Sequence, residues 1–188
     1  MKKVLLIDSS SRKNGNSAII TQTLAADLQD AEVTVFTMRD KACNFCMACG
    51  ACQGKTTQAC IQKDDIAALI ASLDTYDALV IATPVYNHQI SARAKQFIER
   101  FYPFFNLTME QMSNATKRDK KAALICSCWG GPADIYEKYA QWTLNSFAQI
   151  GVSQTKALVF SMLDAPGAIA SRADDLQKLH ALADWLKA

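Results

Sequence analysis

The sequence predicts a doubly wound α/β fold, one parallel sheet with helices packed on both faces. Two observations carry that expectation. Short runs that are apolar at every position, such as Val4-Leu5-Leu6-Ile7 and Ala78-Leu79-Val80-Ile81-Ala82, suit strands covered on both faces. Five apolar strand-like runs alternate with stretches of helical periodicity along the chain.

The elements follow in order. Residues 4–7 form the first strand and residues 17–28 the helix after it. Residues 33–38 form the second strand. Asp64 or Asp65 then caps a helix that carries Ile66, Leu69, Ile70 and Leu73 on one face. Residues 77–83 are the third strand, and residues 90–102 a helix ended by Pro103. The fourth strand is 122–126, followed by a helix at 132–150 with proline in its first turn and Gly151 at its stop. The fifth strand is 157–160, and the last helix, 171–186, turns Leu176, Leu179, Leu182 and Leu186 inward. Residues 107–118 read as a polar connector. There are no repeats and no low-complexity tract. The expected organisation is one domain over residues 1–188, interrupted by a cysteine-rich insert at about 41–63.

Composition narrows the class. Of 188 residues, 50% are hydrophobic and 20% charged, and the net charge of +2 is too small to argue for nucleic acid or an acidic membrane surface. The apolar stretches fall well short of the roughly 18–20 residues of a membrane span. The chain runs directly into a strand without a leader pattern, and its seven cysteines are odd in number. A cytoplasmic protein with reduced or metal-bound thiols is therefore expected, rather than a disulfide scaffold.

Two loops carry candidate chemistry. The first strand ends at Asp8, and Ser9-Ser10-Ser11-Arg12-Lys13-Asn14-Gly15-Asn16-Ser17 leads into a helix. Hydroxyls, a guanidinium and a glycine at a helix N-terminus suit a phosphate. The plain alternative is a polar turn capped by Asn16 or Ser17. No glycines have the G-x-G-x-x-G spacing, and Gly50-Ala51-Cys52-Gln53-Gly54-Lys55-Thr56 is one residue short of a P-loop. After the third strand comes Thr83-Pro84-Val85-Tyr86-Asn87-His88. Pro84 keeps Thr83 extended, and the turn beside Tyr86 can grip the edge of a planar ring. The alternative is an ordinary β–α turn with a packed tyrosine, and His88 is either a contact in the site or an exposed loop histidine.

Together these features resemble the flavodoxin-like NADPH-dependent FMN reductase family. The first loop matches its approximate pattern G-S-x-R-x-x-G-N-[ST], with Ser9 in place of glycine, and Pro84-Val85-Tyr86 with Lys95 and Glu99-Arg100 matches its second signature. A cysteine-rich insert followed by Asp64-Asp65 completes the likeness, which spans roughly residues 3–160. The resemblance implies a five-stranded sheet in the order 2-1-3-4-5 with FMN at the switch point. It implies that Ser10, Arg12, Asn16 and Ser17 hold the phosphate. Pro84, Val85, Tyr86 and Asn87 would line the ring, and Ser127-Cys128-Trp129-Gly130-Gly131 would form a third wall. No side chain is assigned as catalytic, because the flavin carries the chemistry.

Cys43, Cys46, Cys49, Cys52 and Cys60 crowd into eighteen residues. The run resembles the motif of the iron–sulfur flavoprotein branch of the family, and the resemblance implies Cys46, Cys49, Cys52 and Cys60 as ligands of a [4Fe–4S] cluster. A register starting at Cys43, zinc held by four thiolates, and thiols without metal remain open. Cys126 and Cys128 read as core or loop residues, and His180 as structural. The expected activity is FMN-dependent electron transfer from NAD(P)H to a quinone-like small molecule or a protein acceptor, in a homodimer or homotetramer. Phe97, Phe101, Tyr102, Phe104 and Phe105 serve either a subunit contact or the interior. The alternatives in function are a passive flavodoxin-like carrier without NAD(P)H activity, and a thiol-based binding module.

Overall fold

A computed structural model describes residues 1–53, 59–106 and 112–188. The Gly54-Lys55-Thr56 stretch and part of the 107–118 connector lie outside the described residues. The elements are β1 (Lys3–Asp8), α1 (Asn16–Asp27), β2 (Glu32–Thr37), α2 (Asp65–Ser72), β3 (Ala78–Tyr86), β4 (Gln89–Ile90), α3 (Ala92–Glu99), β5 (Lys120–Ser127), α4 (Ala133–Leu144), β6 (Val152–Phe160) and α5 (Ala173–Lys187). The parallel strands run in the order β2-β1-β3-β5-β6. This is the expected doubly wound, flavodoxin-like sheet.

The fully apolar strand sequences follow from two separate cores. Val4, Leu6, Val80 and Ile125 point to one face, where Ile20 and Leu24 of α1 and Leu179, Leu182 and Leu186 of α5 cover them. Leu5, Ile7, Leu79, Ile81 and Leu124 point to the other, under α2, α3 and α4. Alternate residues of one strand thus feed opposite cores, and neither set can be polar.

Several elements differ from expectation. β6 begins at Val152 rather than 157, because it is an edge strand whose exposed Ser153 and Gln154 carry no apolar signal. The helix expected from residue 90 begins at Ala92, because Gln89 and Ile90 pair back on Tyr86 and Val85 as a hairpin. Ser91 caps α3 by accepting from the Ala94 amide at 3.2 Å. The helix expected through residue 150 is α-helical to Leu144 and then narrows to a 3₁₀ segment closed by left-handed Gly151. A Cβ there would stand 2.0 Å from the Lys117 carbonyl oxygen, so glycine is required.

Of the aromatic residues near α3, Phe97, Phe101 and Phe104 are buried, with Phe101 edge-on to both Phe97 and Phe147. Tyr102 and Phe105 stack on each other, and Tyr102 is exposed. The first three therefore serve the interior.

The cysteine-rich insert is held by polar contacts. Asp64 caps α2 by accepting from the Ala67 amide at 2.8 Å. Its carboxylate also takes both terminal nitrogens of Arg100, at 2.8 and 3.0 Å, and the two side chains are 1% exposed. The Asn44 amide donates to Asp64 at 2.8 Å, and Arg100 returns a bond to the Asn44 carbonyl. Asp65 accepts from the Ala42 amide, and Gln96 donates to the Cys43 carbonyl.

Burial alone would raise the Asp64 carboxyl, but Arg100 and the two amides outweigh it and hold the pKa below the usual carboxylate range. Asp74 and Asp77 behave alike, with Lys120 and Lys117 as the opposing cations. All three bind protons less readily folded than unfolded, so their contribution is present above the unfolded carboxylate pKa of about 4 and lost as pH falls through the lower folded values. The melting temperature should be flat on the neutral side of this window and drop below about pH 4, less steeply in Asp64→Asn. Arg100→Leu leaves a buried unpaired carboxylate. In urea melts at pH 7 it should lose about 3–5 kcal/mol, and the double variant with Asp64→Asn less.

Candidate functional site

The carboxyl ends of β1, β3, β5 and β6 meet at one edge of the sheet, where an open α/β sheet places its ligands. A cavity of about 330 Å³ lies there. The loop after β1 contributes Ser10, Arg12, Gly15, Asn16 and Ser17 to its lining, and the end of β3 contributes Pro84, Val85 and Tyr86. The end of β5 adds Ser127, Cys128 and Trp129, and the segment after β6 adds Leu163, Asp164, Ala165 and Pro166.

The first loop is wound tightly by its own hydroxyl. Ser10 Oγ accepts from the Arg12 amide and donates to the Arg12 carbonyl, both at 3.1 Å. Gly15 closes over this turn, and a Cβ there would meet Ser10 Oγ at 2.9 Å. Gly15, not Asn16 or Ser17, occupies the N-cap position of α1, and no side chain caps the helix. The first amides of α1 are thus left for an incoming acceptor. Ser9, the departure from the family glycine, is fully buried and points beneath the loop. It donates to the Ala82 carbonyl at 2.9 Å and stands 3.1 Å from the Ser91 hydroxyl, which in turn meets Thr83. A serine is accommodated because this hydroxyl network takes its side chain.

Asn16 and Ser17 line the cavity but are engaged elsewhere. Asn16 donates to the Ala165 carbonyl and accepts from the Ile169 amide, both at 3.0 Å, and so ties the first loop to the segment after β6. Ser17 and Ser127 share a buried hydroxyl contact at 2.9 Å. Asn87 and Gly130 do not line the cavity. Asn87 and His88 have φ of +47° and +66° and form the two-residue turn between β3 and β4. Positive φ at both central positions is the demand of a type I′ hairpin turn. His88 instead meets the Tyr136 hydroxyl at 3.1 Å.

The 163–166 wall was missed by sequence reading. The available signal was its place after the last strand at the same sheet edge, with Asp164-Ala165-Pro166-Gly167 spelling a turn. Cys126 is pushed up to about 12 by burial and by neighbouring Cys128, and burial also raises Cys128. Both are therefore neutral thiols near pH 7.

Cys46, Cys49, Cys52 and Cys60 line a second, smaller pocket with Arg100, Tyr102 and Pro103. Cys43 is outside it, packed against the core with its thiol 3.9 Å from the Met38 carbonyl. Burial raises the Cys52 thiol, with Cys60 and Cys46 close enough to add to the effect, and Arg100 also faces Cys60. Four soft thiols on one pocket are a donor set that fits a thiolate-bound centre. Among the described residues, no three His, Cys, Asp or Glu side chains converge closely enough to hold a single ion.

Curated proteins match about half of this chain. An iron–sulfur flavoprotein from Archaeoglobus fulgidus is 33% identical over 104 residues, which is 54% of this chain and 46% of that protein. One from Methanocaldococcus jannaschii is 32% identical over 99 residues, 52% of this chain and 50% of that protein. The match spans about half the length of these relatives. Among solved structures, an FMN-dependent NADH-azoreductase from Bacillus anthracis in complex with FMN superposes with a TM-score of 0.73 at 12% identity, covering 99% of each chain. An NAD(P)H:quinone oxidoreductase from Methanothermobacter marburgensis superposes with a TM-score of 0.70 at 13% identity, covering 100% of this chain and 98% of that one. These two likenesses establish the fold. The family model for NADPH-dependent FMN reductase matches residues 2–155, and the chain belongs to that family.

Proposed function

We propose that the protein is an FMN-dependent NAD(P)H oxidoreductase that passes electrons to a quinone-like or protein acceptor. The observation that carries this reading is the cavity at the sheet edge, where an uncapped helix start and Arg12 stand at one end and Tyr86 and Trp129 at the other. A phosphate fits the first end by charge and by amide donors. A planar ring fits the second, where Tyr86 and Trp129 are 46% and 76% exposed and free to stack. Bound FMN supplies the hydride and electron chemistry. The chain's own residues do the rest. Ser10, Gly15 and Asn16 fix the phosphate loop, Pro84 stiffens the wall beside the ring, and the Ser17–Ser127 contact joins two walls beneath it.

Cys46, Cys49, Cys52 and Cys60 are the proposed ligands of a [4Fe–4S] cluster, with Cys43 outside the set. A centre there would draw the four thiols inward and give electrons a one-at-a-time exit. Among the described residues no helix is long and apolar enough to cross a membrane. Free, soft thiols support a reducing, cytoplasmic setting. The chain is taken to work as one unit over residues 1–188, with the insert at about 41–63. A homodimer or homotetramer is supported by exposed Trp129, Ile135 and Trp142, the last two on one face of α4.

Protein purified without oxygen should show two flavin bands that bleach when NADPH is added. A bound flavin that stays oxidised would mark a passive carrier, and no flavin even after FMN is added would leave a thiol-based module. Arg12→Ala should weaken FMN by roughly ten- to a hundredfold in fluorescence titrations, with riboflavin affinity unchanged, because only the phosphate contact is lost. Iron and sulfide assays should find about four of each per chain. Cys60→Ser should lose most of that iron, and Cys43→Ser should keep it.

A further inference from the structure

Tyr136 sits on the first turns of α4 and is 7% exposed, outside the lining of the cavity. It nevertheless touches two of the cavity's walls. Its hydroxyl lies 3.1 Å from Nδ1 of His88, and the two rings run nearly parallel, with centroids 6.2 Å apart and planes at 16°. His88 is in the turn of the β3–β4 hairpin, two residues from Tyr86. The same phenol packs on Gly131, two residues from Trp129. A Cβ on Gly131 would stand 3.0 Å from Tyr136 Cε2 and 3.2 Å from its hydroxyl. Gly131 also has φ +98°, so the close approach and the backbone both call for glycine.

The hairpin needs such a tie. β4 is only two residues long, and a two-residue ladder is marginal alone. Among the described residues, the His88–Tyr136 bond is the one side-chain hydrogen bond that leaves the 86–89 tip. Tyr86 and Trp129 are the exposed aromatic residues at the cavity, one on each of these walls.

We infer that Tyr136 and His88 are positioning residues: they clamp the hairpin to the Gly130-Gly131 turn and so set the gap between Tyr86 and Trp129 that receives a planar ring. The inference rests on the flavin reading above. Its physical basis is preorganisation. A wall already held in its binding position loses less freedom when the ring enters.

The test is titration of FMN and of riboflavin into apoprotein from wild type, Tyr136→Phe, His88→Ala and His88→Gln, with a melting curve for each. Losing the bond should weaken both flavins by the same factor, roughly three- to tenfold, in Tyr136→Phe and His88→Ala. The FMN-to-riboflavin ratio should stay at its wild-type value, because the phosphate end is untouched. His88→Gln keeps a partner for the phenol and should recover most of the affinity at an unchanged melting temperature. Wild-type affinity in both deletion variants would overturn the inference. So would a loss confined to FMN, or a loss in Gln as large as in Ala. If the wild-type protein binds neither flavin, the flavin reading itself fails and takes the inference with it.

Discussion

The Asp64–Arg100 pair is the contact on which the arrangement of the thiols depends. A buried ion pair is a poor source of net stability, because removing two charges from water costs several kcal/mol before any attraction is counted. It is tolerable here because the remaining capacity of both groups is used. Asp64 accepts from Arg100, Asn44 and Ala67, and Arg100 returns a bond to the Asn44 carbonyl. One carboxylate therefore starts α2, fixes the chain entering the cysteine run, and fastens both to the end of α3. The described residues between 41 and 64 form neither helix nor strand, so no backbone ladder could do this job. An apolar anchor would hold the segment down but would not specify which backbone groups it meets.

The sheet edge uses the opposite strategy. Its buried polar groups are mostly uncharged hydroxyls, and they satisfy one another and nearby carbonyls. Ser9, Thr83 and Ser91 join the first loop, the end of β3 and the start of α3. Ser17 and Ser127 join α1 to the end of β5. Hydroxyls are small and both donate and accept, so they can stitch loops without a large desolvation penalty. Charge is confined to a few groups: Arg12 and Asp164 line the cavity, and the buried Asp8 at the end of β1 accepts from the Ser10 amide and pairs with Arg39.

The fold was legible because a parallel sheet covered on both faces leaves an unmistakable mark, strands apolar at every position. The start of the edge strand β6 was hidden, since Ser153 and Gln154 face solvent and read as loop, and the two-residue β4 was read as the start of a helix. The walls of the cavity were legible where they are local in sequence, as in Ser10, Arg12, Pro84 and Tyr86, which line it. It was less so where a role depends on distant partners. No local pattern signals that the Asn16 side chain bonds to Ala165 and Ile169, some 150 residues away. Nor does local sequence signal that Tyr86 pairs with Gln89, which puts Asn87 in a hairpin turn. Arg100 enters the sequence reading only as half of the Glu99-Arg100 pair of the second signature, and only the fold shows that its partner is Asp64.

These two strategies meet on α3. Its N-cap, Ser91, belongs to the hydroxyl network under the loop after β1, and Arg100, just past its last turn, belongs to the ion pair behind the thiols. The eight residues between span about 12 Å at the rise of an α-helix. Ala94 and Phe97 along its length are fully buried against the sheet, so the helix cannot slide without breaking the core. Cavity and thiol pocket are thus held at a fixed separation by one rigid element pinned at both ends. If electrons pass between the two, that separation is set by the packing of α3 and not by the loops that carry the ligands. Substitutions that loosen the loops would then change what is bound, and substitutions under α3 would change how well the two sites communicate.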